Sequence, residues 1–279
     1  MVASVPGAGR THGRSRMCQL LGMNCNVPTD ICFSFTGFHH RGGRTGEHAD
    51  GWGIAFYEGR GSRIFLDTAP AVRSPIATLV RNYPIRSTNV IAHIRKATVG
   101  SVALENTHPF QREMWGRYWT FAHNGTLKTF QSRFGAKTRP FLPVGSTDSE
   151  AAFCDLLEIL REAFPHGQPA LDELRATLAA ATAELARLGD FNFLLSNGEA
   201  LFAHCATQLT YIERRAPFVT AHLVDEDYTV DFSQVTTPND RVAVIATVPL
   251  TDNEVWTPIE PGRLTVFFDG ALAQHAPHG

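Results

Sequence analysis

Short apolar runs divide the first half of the chain into segments of strand length. Three segments have this character, and the third is rich in aromatic residues and threonine, which are frequent in strands: residues 51–57, 89–94 and 117–123. Pro75 lies between the first two runs and suits the first turn of a helix, so we predict a helix near residues 75–82. The third run leads into Asn124-Gly125, where we expect the strand to end at a turn.

Two amphipathic helices are predicted in the middle of the chain. Thr147 and Glu150 have the spacing of a capping box, which predicts a helix start. The apolar face of this first helix has i, i+3, i+4 spacing and comprises Ala152, Phe153, Leu156, Leu157, Leu160 and Phe164. The second helix is predicted to follow Pro169 and to stop at Gly189, with the apolar face Leu171, Leu174, Leu178, Ala181, Leu185 and Leu188. We expect the two helices to pack side by side on a sheet.

The last third of the chain returns to strand-length apolar runs. They are residues 191–196, 199–205, 209–214, 241–246 and 263–268. Strands followed by two helices and then by strands again indicate sheets covered by helices, an α+β or layered architecture rather than a doubly wound one. From Cys18 onward there is no linker, repeat or low-complexity block, so we predict one domain.

Composition restricts the class of protein further. Hydrophobic residues make up 43% of the 279 residues and charged residues 19%, which is a globular composition. The formal net charge of −2 gives no field that would favour nucleic acid. No apolar run approaches the roughly 18 residues that would span a bilayer, so no membrane association is expected.

The five cysteines are odd in number and contain no Cys-x-x-Cys pair. This argues against a disulfide framework and against a zinc knuckle, and it predicts reduced thiols in a cytoplasmic protein. The twelve histidines show no His-Glu-x-x-His spacing, so we predict neither a metal site nor a cofactor.

Residues 1–16 do not look foldable. They contain Arg10, Arg14 and Arg16, no acidic residue and no apolar core of a signal peptide. We expect them to be either a disordered extension or the result of a mis-assigned start, with the folded domain over residues 17–279.

Met17-Cys18 has the form of a true translation start. If Met17 is removed, Cys18 carries both a thiol nucleophile and a free α-amine, whose pKa near 8 suits it to accept the thiol proton. The alternative is that Cys18 is a buried small hydrophobe, which is the commonest fate of a free cysteine.

Four stretches downstream could contribute to such a site, and each also has an ordinary structural explanation. Arg95 follows a predicted strand and could bind a carboxylate, or it could be a solvated surface residue. Asn124 and Gly125 could donate hydrogen bonds to an oxyanion, or they could form a plain hairpin turn. Asp148 could bind an ammonium group, or it could serve the helix macrodipole. Asn106-Thr107-His108-Pro109 reads as a polar loop closed by a proline.

Read in order, these motifs resemble the class II (N-terminal nucleophile) glutamine amidotransferases. The pattern is Met-Cys, His-x-Arg-x-Ala-Thr, Asn-Thr-His-Pro, His-Asn-Gly and Thr-Asp-Ser-Glu. The likeness is strongest to the stand-alone YafJ-like branch of that family, through residues 27–37, Arg41-Gly42-Gly43, residues 50–54, residues 215–218 and residues 237–240. The resemblance covers essentially residues 17–279.

The resemblance implies a four-layer αββα N-terminal-nucleophile fold with two stacked antiparallel sheets. It implies that Cys18 is the nucleophile and that Asn124 with Gly125 forms the oxyanion hole. It further implies that Arg95 and Asp148 bind the substrate α-carboxylate and α-ammonium, with a supporting contact from Thr98. An amino-acid head group needs one fixed cation and one fixed anion in its binding site. The residue types alone therefore give Arg95 and Asp148 the same two roles that the resemblance implies.

The sequence departs from the family pattern near the proposed site. Lys96 and Val99 replace the Trp and His that synthase members often carry, so closure over the substrate is expected to differ. No synthase or isomerase domain follows, so an ammonia acceptor site is not expected within this chain. Residues 1–16 would block the α-amine of Cys18 unless they are removed or never made.

The predicted activity is hydrolysis of glutamine or of another γ-glutamyl amide. Within this class, the protein could act alone on a γ-glutamyl conjugate, as a relative in ergothioneine synthesis does, or it could supply ammonia to a separate synthase partner. The alternative from another class is an inactive amino-acid-sensing or regulatory module in which Cys18 stays internal.

Overall fold

Two stacked antiparallel sheets form the centre of the protein. The computed structural model describes residues 18–97, 100–128 and 139–273. Over these residues the helices are α1 (Cys32–His40), α2 (Pro75–Asn82), α3 (Asp148–Ala163) and α4 (Leu171–Leu185). The strands are β1 (Gln19–Thr29), β2 (Trp52–Glu58), β3 (Gly61–Asp67), β4 (Ser87–Ile94), β5 (Phe110–Met114), β6 (Arg117–Leu127), β7 (Gly189–Ser196), β8 (Leu201–His204), β9 (Thr210–Arg215), β10 (Thr220–His222), β11 (Thr229–Asp231), β12 (Arg241–Ala246), β13 (Thr257–Pro258), β14 (Leu264–Phe268) and β15 (Ala271–Leu272).

The seven-stranded sheet has the order β13-β9-β12-β1-β4-β2-β3, and the six-stranded sheet has the order β15-β14-β8-β7-β6-β5. Strands β10 and β11 form a separate hairpin. Strand β1 lies at the centre of the larger sheet, between β4 and β12. Cys18, the residue before Gln19, therefore lies at the end of a central strand of this sheet.

Side chains alternate between the layers because successive strand residues point to opposite faces. Leu20 on β1 packs between the two sheets, whereas its neighbour Leu21 packs on the outer face under α1 and α2. On β6, Ala122 packs between the sheets, whereas Phe121 packs against α3 and α4. These layers confirm the predicted α+β fold of two stacked antiparallel sheets with helices on their outer faces.

Most predicted elements are present, but β6 extends further than predicted. The strand does not end at a turn at Asn124-Gly125, and that prediction was wrong. It continues to Leu127 because residues 120–127 pair with β7, with Asn124 opposite Asn192 and Gly125 opposite Phe191. Pairing with β7 therefore keeps β6 extended through Asn124-Gly125, where the local sequence alone favours a turn.

The start of α3 is capped as predicted by Thr147, whose hydroxyl accepts from the Glu150 amide (3.3 Å). The Glu150 carboxylate binds Arg112 (2.5 Å) and the Gly145 amide (2.7 Å), so it is engaged outside the capping box. The second helix ends at Leu185, before a 3₁₀ turn, and Gly189 is the first residue of β7. None of the helices in the described part of the chain is long and apolar enough to cross a bilayer.

Candidate functional site

The antiparallel pairing of β1 and β4 places Cys18 beside Arg95. Gln19 at the start of β1 is opposite Ile94 at the end of β4. Cys18 immediately precedes one strand and Arg95 immediately follows the other. The two residues therefore meet at one edge of the sheet, although 77 positions separate them in sequence.

The sulfur of Cys18 lies against the backbone of Lys96. Sγ is 3.1 Å from the Lys96 nitrogen and 3.3 Å from the Lys96 oxygen. Burial raises the pKa of the Cys18 thiol, while the Lys96 backbone hydrogen bond and the Arg95 guanidinium act in the opposite direction. The thiol form is therefore favoured until another group takes its proton.

Arg95 is buried, with 4% of its surface exposed, so the solvated-surface interpretation does not hold. Its guanidinium donates to the backbone oxygens of Ser101 (3.0 Å) and Gly100 (3.4 Å). Asp50 accepts from the Ala97 amide (2.8 Å) and fixes the backbone just after Arg95. Thr98, the predicted supporting residue, lies outside the described residues.

Asn124 connects the second sheet to the nucleophile candidate. Its Nδ2 donates to the backbone oxygen of Cys18 (2.5 Å), and its backbone oxygen accepts from Asn192 Nδ2 (3.0 Å). Gly125 has φ 150°, and a Cβ there would lie 1.7 Å from the backbone oxygen of Asp190. Only glycine fits this corner without displacing β7.

Asp148 is the first residue of α3, as predicted. Its Oδ2 accepts from the Leu127 amide (2.7 Å) and its Oδ1 from the Ser149 amide (2.9 Å). The carboxylate is thus tied to the end of β6, three residues beyond Asn124. The helix dipole also favours a negative charge in the first turn, so Asp148 stabilises the start of α3 as well.

Asn106 holds two loops of the site together. Its Nδ2 donates to the Ser101 oxygen (3.2 Å), and its Oδ1 accepts from the Ser146 amide (2.9 Å). The loop after Arg95 is thereby joined to the segment that starts α3. The Asn-Thr-His-Pro motif predicts only a polar loop closed by a proline, and no role for Asn106 follows from the sequence alone.

Arg41 is a second residue whose role does not follow from the sequence alone. It is 6% exposed and donates from Nε to Asp225 (2.8 Å) and from Nη1 to Gln19 Oε1 (3.4 Å). Burial lowers the pKa of Arg41, and Asp225 opposes that shift. The signal for this residue was the Arg41-Gly42-Gly43 motif, which contains no information about a partner almost two hundred residues away.

Three buried histidines complete the surroundings of the site. The Nε2 atom of His93 lies 3.3 Å from Nδ1 of His108, and His123 contacts Ser149 and Asp190. Burial is the largest cause of a lowered pKa in all three, so each is neutral at physiological pH. They add no fixed positive charge beside Arg95.

This end of the two sheets combines five groups: the Cys18 thiol, the amides of Asn124 and Gly125, the buried Arg95 guanidinium and the Asp148 carboxylate. A thiol with nearby N–H donors suits acyl transfer, in which a negative oxygen must be stabilised. A guanidinium and a carboxylate suit the two charged groups of an amino acid. Among the described residues, no group of three or more His, Cys, Asp or Glu side chains is arranged to hold a metal ion.

Comparison with known proteins places the chain in a family. The family model described as class II glutamine amidotransferases matches residues 17–278. The Escherichia coli protein named "Putative glutamine amidotransferase YafJ" is 56% identical over 251 residues, covering 90% of this chain and 97% of that protein. A solved structure of a "predicted glutamine amidotransferase" from Pseudomonas aeruginosa is 48% identical with a TM-score of 0.73, covering 92% of this chain and all of that one.

A more distant relative has a more specific name. The γ-glutamyl-hercynylcysteine sulfoxide hydrolase of Mycobacterium tuberculosis is 31% identical over 185 residues, covering 66% of this chain and 70% of that protein. The match of the family model over nearly the whole chain, together with identities above 50%, is decisive. The chain belongs to the class II glutamine amidotransferases.

Proposed function

We propose that the protein is an amidohydrolase that cleaves the side-chain amide of glutamine or of a related γ-glutamyl amide through a Cys18 thioester. The observation that carries the proposal is the position of Cys18, between the backbone of Lys96 and the side chain of Asn124. Family membership supports the reaction class, and the name of the mycobacterial relative includes hydrolysis of a γ-glutamyl compound.

The first requirement is a free α-amine on Cys18. The amine takes the thiol proton, and the thiolate attacks the amide carbon to form a tetrahedral intermediate. Desolvation raises the pKa of the Cys18 thiol, which is mostly protonated at neutral pH, so the adjacent base is needed. The proposed chemistry therefore depends on a polypeptide that begins at Cys18.

Asn124 and Gly125 are the proposed oxyanion donors. The Asn124 amide nitrogen carries two N–H bonds, and its contact with the Cys18 oxygen uses one of them. The second N–H, together with the backbone N–H of Gly125, would bind the negative oxygen of the intermediate. Collapse then breaks the C–N bond, and the departing amine takes the proton held by the α-ammonium.

Hydrolysis of the thioester completes the cycle. The α-amine removes a proton from water, and the hydroxide attacks the thioester carbon. Collapse of this second intermediate expels the Cys18 thiolate, which recovers the proton from the α-ammonium. The γ-glutamyl group leaves with a carboxylate in place of its amide, and the net reaction is amide plus water to acid plus ammonia or amine.

The substrate head group is assigned to Arg95 and Asp148. A guanidinium has five N–H donors, and a carboxylate has about four acceptor positions, so each can bind substrate in addition to its backbone partners. Arg95 would bind the α-carboxylate and Asp148 the α-ammonium. Thr98 as a supporting contact stays a prediction.

The test measures glutamate released from glutamine and from a panel of γ-glutamyl amides, using protein whose intact mass shows Cys18 as the first residue. We expect Cys18→Ala to abolish release. Cys32→Ala is the matched control, because Cys32 lies on α1 with its sulfur near Val80 and should leave activity intact. Wild-type rates in Cys18→Ala would refute the mechanism.

The same measurements distinguish the alternatives. Activity on a conjugate but hardly on glutamine favours a stand-alone hydrolase, whereas stimulation of glutaminase activity by a co-purifying synthase favours ammonia supply. A native protein that retains residues before Cys18 favours the amino-acid sensor. A cytoplasmic location and a single domain over residues 17–279 also stay predictions.

A further inference from the structure

His123 and Ser149 link two parts of the proposed site that come from different layers. His123 immediately precedes Asn124 on β6, and Ser149 immediately follows Asp148 on α3. His123 Nδ1 lies 2.8 Å from Ser149 Oγ. This one contact therefore joins the proposed oxyanion corner to the proposed ammonium-binding carboxylate.

The direction of the hydrogen bonds follows from the partners of the ring. Nε2 of His123 lies 3.0 Å from the backbone oxygen of Asp190, which can only accept, so Nε2 carries the proton. In the neutral ring Nδ1 is then an acceptor, and the Ser149 hydroxyl donates to it. Burial lowers the pKa of His123, which agrees with a neutral ring.

The surroundings of the ring are closely packed. Both His123 and Ser149 are buried, and Phe191 contacts the imidazole edge-on with ring centroids 5.1 Å apart. A Cβ on Gly125 would lie 2.9 Å from His123 Nε2. The ring has no room to rotate freely. A shift of either hydrogen-bonding partner, Ser149 or Asp190, is therefore passed on to the residues next to His123 in the chain.

The Ser149 hydroxyl has a second candidate acceptor. Asp148 Oδ1 lies 3.5 Å from Ser149 Oγ, which is long for a hydrogen bond, whereas His123 is 0.7 Å nearer. While the hydroxyl donates to His123, both oxygens of Asp148 stay directed by the backbone amides of Leu127 and Ser149. The His123 contact thus keeps the serine hydroxyl from competing for the carboxylate.

We propose that His123 and Ser149 are positioning residues that hold the Asn124-Gly125 corner and the Asp148 carboxylate in a fixed relation. The inference rests on the proposed function, because it assumes that both ends face one γ-glutamyl substrate. Neither residue touches the reacting atoms. Each acts through its neighbour in the chain.

The test compares Ser149→Ala with Ser149→Thr on two substrates, glutamine and glutaramate, which is glutamine without its α-amine. We expect Ser149→Ala to lower kcat/KM for glutamine at least about 10-fold, equivalent to about 1.4 kcal/mol of transition-state stabilisation, because the oxyanion corner and the Asp148 carboxylate are no longer held in the productive relation. The loss on glutaramate should be smaller and confined to kcat, since that substrate makes no use of Asp148. Threonine keeps the hydroxyl and should restore most of the activity.

A purely structural role for Ser149 would lower activity equally on both substrates, and that result would overturn the inference. So would a Ser149→Thr variant no better than Ser149→Ala. A third readout does not need activity: ¹⁵N resonances of histidine-labelled protein should show His123 Nδ1 unprotonated and hydrogen-bonded, with the bond lost in Ser149→Ala and kept in Ser149→Thr. A proton on Nδ1 would contradict the inference.

These outcomes separate the two proposals. A wild-type protein that releases no glutamate but shows the expected His123 resonance refutes the proposed function and leaves the contact between the two segments standing. An active wild type with equal losses on both substrates refutes the positioning role alone.

Discussion

Both backbone polar groups of Lys96 lie within hydrogen-bonding distance of the Cys18 sulfur, the nitrogen at 3.1 Å and the oxygen at 3.3 Å. A thiol can donate to the oxygen, and a thiolate can accept from the N–H, so the same residue accommodates both protonation states. Burial nevertheless raises the pKa of the thiol. The balance between these effects sets when the sulfur becomes reactive.

The first prediction concerns the pH dependence of Cys18 alkylation. Because only the thiolate reacts and the folded thiol has a raised pKa, a chain with residues before Cys18 should be alkylated slowly near neutral pH and faster as pH rises beyond the ordinary cysteine range. A free α-ammonium beside the thiol favours the thiolate, so processed protein should react at lower pH. Peptide mapping after timed iodoacetamide treatment measures both rates.

Cys32 provides an internal control in each sample. Burial and Asp30 raise its pKa to about 11, and it lies on α1, so the state of the N-terminus should not change its rate. If the processed and extended chains showed identical pH profiles at Cys18, the proposed role of the α-amine as base would be wrong.

The second prediction is that Gly125→Ala destabilises the fold as well as the proposed site. The new Cβ would overlap the Asp190 backbone oxygen at 1.7 Å, and φ is 150°. Relief requires separation of β6 from β7 at the point where they pair, so we expect a loss of several kcal/mol in the free energy of unfolding. Urea denaturation followed by circular dichroism measures it.

Gly61→Ala is the matched control, because Gly61 is exposed at the start of β3 and a Cβ there would meet only the Glu58 oxygen at 3.4 Å. We expect that variant to change the free energy of unfolding by less than about 1 kcal/mol. Equal effects of the two substitutions would show that the close approach of Asp190 to Gly125 does not constrain the strand pair.

The third prediction isolates the Asn124 amide. Asn124→Asp keeps the size of the side chain but replaces the N–H donors with an oxygen. Loss of one preorganised oxyanion donor typically lowers kcat by about 10²–10³, and we expect that range here with little change in KM. Asn26→Asp serves as the control, since the Asn26 side chain binds Asn239 and Arg241 at the far end of β1. An unchanged kcat in Asn124→Asp would exclude Asn124 as an oxyanion donor.

Local sequence signals predicted the elements whose periodicity and end signals agree. Helix α3 combines a Thr147 cap with an apolar stripe, and α2 begins at Pro75 as expected. Strand β1 escaped assignment because it lies at the centre of a covered sheet and is buried on both faces over Gln19–Cys25, so it shows no alternation of polar and apolar residues.

The ordered motifs predicted the set of candidate site residues, but they did not predict which residues these contact. No spacing rule relates Arg41 to Asp225 or His123 to Ser149, because these contacts depend on how distant loops and layers pack. The Asn124-Gly125 turn signal was misleading for a related reason. The local turn preference is outweighed when a neighbouring strand continues the ladder, because each cross-strand pair adds roughly 0.2–1 kcal/mol.

The last prediction concerns the buried ion pair of Arg41 and Asp225, in which Arg41 also contacts Gln19. The side chains of Arg41 and Asp225 are 8% and 9% exposed, and Arg41 also donates to the backbone oxygens of Val248 and Pro249. Arg41→Met leaves the Asp225 carboxylate buried beside only the Thr45 hydroxyl among its described partners. An unpaired buried charge costs about 3–5 kcal/mol, so we expect a loss of that size in the free energy of unfolding.

The double variant Arg41→Met/Asp225→Asn separates the charge from the packing. With no net charge left in the pair, it should recover part of the loss, giving a coupling energy above about 1 kcal/mol in a double-mutant cycle. The exposed pair of Arg63 and Glu58 is the control, and its cycle should give less than about 1 kcal/mol because solvent screens it. If the two cycles gave the same coupling energy, burial would not be what makes the Arg41 pair strong. The start of β1 would then be held by packing and by the carbonyl contacts of Arg41 alone.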